Sequence, residues 1–420
     1  MTKRIKLLQK SIKVKVDFYD EEQKKKLLAY PTGGMISDIV NDGIEIPIDE
    51  FLTYYLFYRK RPGKPGYQSY AEIATKISKA LYDLEDFISF NGNSISTASD
   101  VGQQDNHITE RVGESIGLSV INRIHNLTAA DWDRIESMGL KVFDYGIASD
   151  GKVIVQVETK GSSVNNNSLK PSTVSQHKAS IISKKNTISE LEKQNVYPYP
   201  ANLRYGTIGV LDSRAGSTVR CLLVDPDPEF MRTPPEKLKL INRMRFLRDW
   251  LAFISPRSQM ASSLSTRVSD LAILSDPFEL DNRPLLKATG HPFDFVPTPD
   301  GNDSTLSFLL NKSRVIDGPS SGIVLQLSKN ELFYAGIRDE IAILASKQNF
   351  RNVFEYKTDR ATLRKAVQCL IPENTFQRFH LPEWFLDRVT RKNNHVSFRL
   401  DGDLQYSQEG LVFGVLPIDR

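Results

Sequence analysis

The sequence predicts an α/β protein, with a central mixed sheet flanked by helices and additional N-terminal and C-terminal α+β regions. Three observations carry this. A helical apolar stripe near 108–127 is followed by two short apolar strands, KVFDYGI and KVIVQVETK, joined at Ser149-Asp150-Gly151. A lysine-bearing helical stretch, SQHKASIISKKNTISELEKQ, and two further strands, RYGTIGVLD and TVRCLLVDPD, come next. The chain has 420 residues, 40% hydrophobic and 25% charged, which suits a protein with two or three cored domains.

The boundaries fall where composition changes. Residues 1–100 read as an N-terminal α+β module. IKVKVDFY alternates as a strand does, IPIDEFLTYYLFYRK reads as an amphipathic helix stopped by RPGKPG, and SYAEIATKISKALYDLEDFISF reads as a second helix. The polar run FNGNSISTASDVGQQDNH is expected to be a linker or loop. Residues 101–228 form the central region. Residues 229–420 read as a C-terminal α+β region, with helices in PPEKLKLINRMRFLRDWLAFI and SQMASSLSTRVSDLAIL and an irregular Pro/Gly-rich stretch after them. Its expected strands are GIVLQLS, LFYAGI, HVSFRL and GLVFGVLP, with helices near 338–347 and 359–370. Recognition, dimerisation or partner docking is its expected work.

Within ITERVGESIGLSVINRIHNL, Val112, Ile116, Val120 and Ile124 recur every four residues. At about 100° per residue Glu114 falls on or beside this apolar face, an unusual place for a carboxylate unless it faces a polar site. Strand side chains alternate, so Glu158 and Lys160 share one face while Val153, Val155, Val157 and Thr159 take the other. With Asp144 in the preceding strand, two carboxylates and one ammonium would meet at one end of a small sheet. That is the donor set of metal-assisted phosphodiester cleavage. A lone Glu-x-Lys is also the trace of an ordinary salt bridge; the conjunction and its order carry the argument.

Net charge is +4 but uneven. Residues 152–249 hold 16 Lys/Arg against 9 Asp/Glu, and residues 1–26 hold 9 against 4. A basic zone about the acids fits a polyanionic substrate, although a solvated surface would leave the same pattern. No run approaches the roughly 18–20 apolar residues of a membrane span. The basic start MTKRIKLLQKSIKVKV lacks the apolar block of a secretory signal, and there are two cysteines, Cys221 and Cys369. A cytoplasmic protein with no membrane partner is expected. His-x-His and HExxH pairs, a GxxxxGK[ST] loop and a G-x-S-x-G elbow are missing, which leaves zincin, P-loop ATPase and serine-hydrolase readings without support.

The region from about 108 to 225 resembles the PD-(D/E)XK nuclease superfamily, whose fold is the restriction-endonuclease-like core. The resemblance rests on Glu114 in the leading helix, Asp144 in one strand, Glu158-Thr159-Lys160 in the next and the helix that follows. Phe143 stands where the family often has proline. The resemblance implies a Mg²⁺-dependent endonuclease in which Mn²⁺ can substitute. Asp144, Glu158 and the Thr159 carbonyl would hold the metal, Lys160 would act on the attacking water, and Glu114 would complete the metal site. Gln156, His177 and Lys178 would orient the site or touch substrate. DNA is the expected substrate, with RNA open, and bacterial genome defence (restriction or anti-phage immunity) the expected setting. A homodimer, or a complex with a separate ATPase or sensor subunit, would fit. The alternatives are a DNA repair or recombination nuclease, a non-catalytic nucleic-acid-binding scaffold of the same fold, and an interaction protein in which these charges are ion pairs.

Overall fold

The computed structural model describes residues 11–58, 70–97, 106–135, 142–143, 146–164, 172–199, 201–214, 217–225, 234–255, 259–283, 312–318, 320–392 and 394–418. The chain divides into two units. One comprises Lys10–Arg59 and Tyr82–Asn242; the other comprises Met1–Gln9, Lys60–Leu81 and Arg243–Arg420. The units therefore do not divide near residues 100 and 228. Strand β1 (Ser11–Phe18) pairs antiparallel with β2 (Ile44–Pro47) and parallel with β9 (Val219–Val224), so the N-terminal segment and the central region share one sheet. Ile12, Val14 and Val16 are buried on one side of β1. A parallel partner about two hundred residues away leaves no local mark in the sequence.

The first unit is α/β. Its helices are α1 (Glu21–Leu28), α2 (Gly33–Asp42) and α3 (Ile48–Thr53), the last running into a π turn at Tyr54–Tyr58. Helix α4 (Tyr70–Phe87), which belongs to this unit only from Tyr82 onward, leads to the hairpin β3 (Ile88–Asn91) and β4 (Ser94–Thr97), in place of the expected linker. Its two-residue loop begins with Gly92 at φ +60, which favours glycine. Helix α5 (Asn106–His125) precedes β5 (Trp132–Arg134), β6 (Gly146–Ser149) and β7 (Ile154–Val164). Helix α6 (Ser172–Lys193) connects β7 to β8 (Leu203–Asp212). The sheet order is β2-β1-β9-β8-β7-β6-β5. Strands β5, β6 and β7 form an antiparallel meander, and β7 and β8 are parallel. A mixed sheet flanked by helices is thus observed.

The helices take opposite faces. Helix α5 lies on the face that carries Thr159, Gly161, Thr207 and Gly209, so close that a Cβ added at Gly113 would sit 2.4 Å from the Gly161 Cα, and one at Gly117 would sit 2.2 Å from the Thr207 hydroxyl. Helix α6 covers the other face. Val174, Ile181 and Ile188 join Ile154, Ile208, Val210, Leu222 and Val224 in a buried cluster there.

The second unit holds α7 (Pro235–Ile254) from Arg243 onward, α8 (Gln259–Ile273), α9 (Asp339–Ser346) and α10 (Phe350–Glu355). Its strands are β10 (Ser313–Val315), β11 (Ser320–Ser328), β12 (Glu331–Arg338), β13 (Ala361–Pro372), β14 (Thr390–Lys392), β15 (His395–Tyr406) and β16 (Leu411–Pro417). β13 pairs with both β10 and β15, which closes β13-β10-β11-β12-β16-β15 into an antiparallel barrel. The helix expected at 359–370 is therefore strand β13. Its helix-forming residues are overridden by a ladder with β15 that runs from Ala361↔Tyr406 to Pro372↔His395. The barrel is filled by Val324, Leu332, Tyr334, Val367, Cys369, Phe398 and their neighbours. Among the described residues no helix is long and apolar enough to cross a membrane.

The glycine contact predicts a sharp contrast. Gly113→Ala should destabilise the protein by about 1–3 kcal/mol or more through overpacking. Gly34→Ala, in α2 with nothing within 4 Å of its added Cβ, should be neutral or stabilising by up to about 1 kcal/mol. Urea unfolding of the two variants checks this; equal effects would contradict it.

Candidate active site

Strand β7 is the middle of the site, and its alternation is the first fact. Register with β8 sets Gln156 beside Arg204, Glu158 beside Gly206 and Lys160 beside Ile208, all on the α6 face. Glu158 is fully buried, with 0% side-chain exposure. Burying a carboxylate is costly unless cations and hydrogen bonds compensate. Two cations do so. Lys160 Nζ lies 2.7 Å and Lys184 Nζ 2.9 Å from the same Glu158 oxygen, Oε1. The lysines keep 18% and 13% exposure, so the cluster reaches solvent through its ammonium groups. The Glu158–Lys160 juxtaposition expected from alternation is present, and Lys184 is a third member that no local pattern singles out. The only cue was its place on a lysine-bearing helix.

Helix α6 is held across the sheet by its charges. Lys178 donates to the Asp20 carboxylate at 2.7 Å and sits over the Tyr19 ring at 4.6 Å. Asp20 is also the N-cap of α1, accepting from the Gln23 amide. Lys185 is buried and donates to the Asp225 backbone carbonyl, with its carboxylate at 3.5 Å. Near the other end of the helix, Glu192 takes the guanidinium of Arg204, which is 0% exposed, through contacts of 3.1 and 2.5 Å.

Gln156 belongs to that second cluster. Its amide donates to the Tyr199 carbonyl, and its oxygen accepts from Arg204 at 3.1 Å and Tyr197 at 3.3 Å. It shares the Glu158 face as expected, but it is fully buried and its bonds anchor the 197–199 segment. A substrate role would require breaking them. Lys178, likewise expected at substrate, is bound to Asp20.

His177 lies two turns of α6 before Lys184, hydrogen-bonded to the Gly161 backbone. Burial, and next the Lys160 ammonium, push its imidazole below the ordinary histidine range, against the Gly161 bond and the Glu110 carboxylate. It is thus the expected substrate-contact residue that the structure does bring beside Lys160.

Glu114 is buried, but it belongs to α5 on the opposite face of the sheet from Glu158. The two carboxylates are not on one face, so the expected completion of a metal site by Glu114 is not seen. The helix count placed it beside the apolar stripe but could not say which face of the sheet that stripe would cover. Glu110, one turn earlier, was passed over. Its Cα would be 2.9 Å from a Cβ at Gly161, and its carboxylate acts on His177. Asp144 lies outside the described residues; Val142 and Phe143, just before it, are buried. Thr159 is buried with its side chain toward α5. Among the described residues, no group of three His, Cys, Asp or Glu side chains converges to hold a metal.

Carboxylate oxygens suit a hard divalent cation, and Glu158 fits as one such ligand. Asp144, two residues from the start of β6, is the remaining expected carboxylate.

His125 closes the α5 face of the sheet. Its Nε2 is 3.0 Å from the Tyr205 hydroxyl. Burial pushes its pKa down to about 4, with the Asp150 carboxylate opposing. It is a core histidine.

No protein-family model, curated protein or solved structure matches this chain.

Two measurements follow from these clusters. Glu192→Ala should strand the buried Arg204 and cost on the order of 3 kcal/mol in chemical unfolding; a loss below about 1 kcal/mol would show that the guanidinium is satisfied without it. His125 is neutral in the fold and titrates near 6.5 when unfolded. The unfolded chain therefore takes up its proton first on acidification, and stability should fall between pH 6.5 and about 4. His125→Gln should flatten that slope, whereas an unchanged slope would assign the acid sensitivity elsewhere.

Proposed function

We propose that the protein is a divalent-metal-dependent nuclease, most simply a DNA endonuclease of bacterial genome defence. The observation that carries this reading is the fully buried Glu158 carboxylate, with Lys160 at 2.7 Å, two residues along the same strand face. A carboxylate buried this deeply beside two lysines is costly to keep for a mere surface function. Such pairs of opposite charge serve hydrolysis of a phosphodiester, where one group holds a cation and the other acts on water and on developing negative charge. The order of α5, the β5–β7 meander, α6 and the parallel strand β8 supports a restriction-endonuclease-like core.

In this reading Glu158 and Asp144 would hold Mg²⁺ or Mn²⁺. The metal would acidify a bound water and neutralise charge on the scissile phosphate. Lys160 orients the water and stabilises the charge that develops as the bond breaks. Lys184 shares Glu158 Oε1 with Lys160 and so fixes the carboxylate's rotamer from the α6 side. His177, kept neutral by burial and by Lys160, spends its one N–H on the Gly161 backbone, and its other nitrogen can accept a hydrogen bond from water. A cytoplasmic location and action as a homodimer or with a separate ATPase or sensor subunit belong to the same proposal.

The double grip of Lys160 and Lys184 on one oxygen also favours a second reading, in which the cluster is a buried ion pair that fastens α6 to β7 in a non-catalytic scaffold. Plasmid cleavage separates the two. Wild-type protein with Mg²⁺ or Mn²⁺ should nick or linearise supercoiled DNA, and EDTA, Glu158→Ala or Lys160→Ala should abolish this. Undiminished cleavage by both variants, or no cleavage of DNA or RNA by folded wild type, would leave the scaffold.

A further inference from the structure

The outer face of the barrel is polarised. Along β13 the residues Val367, Cys369 and Ile371 point inward and are buried, so Gln368 and its alternates face out. Register then sets three outward rows across neighbouring strands. Arg314 of β10 is opposite Gln368, which is opposite Arg399 of β15. Leu370 is opposite Ser397, itself opposite Thr390 of β14. Pro372 is opposite His395, itself opposite Lys392. Residues 357–399 hold 9 Lys/Arg against 4 Asp/Glu. The acids of this ladder, Asp401 and Asp403, lie toward its other end, opposite Ala366 and Arg364.

Part of the first two rows, at Arg314, Gln368, Leu370 and Ser397, is concave. A groove of about 860 Å³ is lined by Lys312, Arg314, Asp317, Gln368, Leu370 and Ser397. Arg314 is held by the Asp339 carboxylate at 3.0 Å, which leaves its buried Nε without a hydrogen-bond partner among the described residues. Gln368 lies flat, donating toward Ser397 and the Phe398 carbonyl. Burial holds the Lys312 ammonium below its usual range, so an anion brought against it would be well received.

The groove's donors are guanidinium, ammonium, amide and hydroxyl groups, and its described lining contains no aromatic ring. Single strands are bound by stacking bases on aromatic side chains, whereas duplex backbones are bound by such donors. We propose that this face of the barrel, on strands β10, β13, β15 and β14, binds the sugar-phosphate backbone of duplex DNA without reading its sequence. The identity of the ligand rests on the nuclease reading above; the site does not overlap the Glu158 cluster.

The test uses the full chain carrying Lys160→Ala, so that binding is measured without cleavage. Fluorescence anisotropy with two labelled duplexes of unrelated sequence is followed over a range of salt. Arg399→Ala and Lys392→Ala, both at exposed positions, should weaken binding to the two duplexes equally. Each should lower the slope of log affinity against log salt by about 1. Lys329→Ala, in the β11–β12 turn, should change neither. Binding of unchanged affinity and slope in the Arg399→Ala, Lys392→Ala double variant overturns the assignment, as does binding confined to single strands or to RNA, or no binding. The failures are distinguishable. Metal-dependent cleavage by wild type with binding insensitive to these residues would remove the barrel site alone. Salt-dependent binding that needs them, without cleavage, would remove the nuclease reading alone.

Discussion

A helix can rest on a sheet at backbone distance only where both surfaces lack side chains, and that constraint organises the α/β unit. Gly113 and Gly117 of α5 are one turn apart and meet Gly161 of β7, Gly209 of β8 and the small side chains of Thr159 and Thr207. The contact fixes which face of β7 the helix covers. Once Thr159 and Gly161 lie under α5, Glu158 and Lys160 must point away from it, because strand side chains alternate. The other face is then left for α6. The position of the Glu158 cluster is thus a consequence of glycine placement on the helix that covers the opposite face.

On the α6 face the energetic problem is different. Helix α6 has a narrow apolar stripe, Val174, Ile181 and Ile188, and much of its remaining hold on the sheet is ionic, beside the Ser162–Thr173 and His177–Gly161 hydrogen bonds. Lys178 meets Asp20, Lys184 meets Glu158, Lys185 meets Asp225 and Glu192 meets Arg204. Each pair joins the helix to a different strand or strand end. Ion pairs with this much burial add little net stability relative to apolar packing, but breaking any one of them is costly. Such a layout specifies register: the helix cannot slide along the sheet without unpairing several charges together. Glu158 is therefore both a fastening of α6 and the carboxylate at the candidate site, and the two roles call for the same rigid rotamer.

Much of this was legible in the sequence, for local reasons. The period-2 run from Ile154 to Lys160 announced β7 and put Glu158 with Lys160. The glycine at 151, with φ +95, sits in the turn expected between the two strands. What was not legible depends on distant partners. The period of Ile12, Val14 and Val16 gives a strand but not its pairing with β9. The stripe on α5 gives a helix with Glu114 on or beside its apolar face, but not which face of the sheet that helix covers. Gln156 shares the right face, yet its engagement by the Arg204 and Tyr197 side chains and the Tyr199 carbonyl follows from groups forty or more residues away. The stretch near 359–370 reads as a helix because its residues favour one, and it lies almost wholly in strand β13 because closing the barrel satisfies its backbone along β15.

The account turns on whether Glu158 is a cation ligand or only a partner of lysines. Isothermal titration of the metal-free full chain with Mn²⁺, in wild type and in Glu158→Gln, asks this without relying on catalysis. Saturable binding that the glutamine variant loses, with both proteins equally folded by circular dichroism, is the predicted result. Wild type that takes up no Mn²⁺, or a Glu158→Gln variant that binds it as wild type does, would contradict the account and leave Glu158 as the fastening of α6 to the sheet.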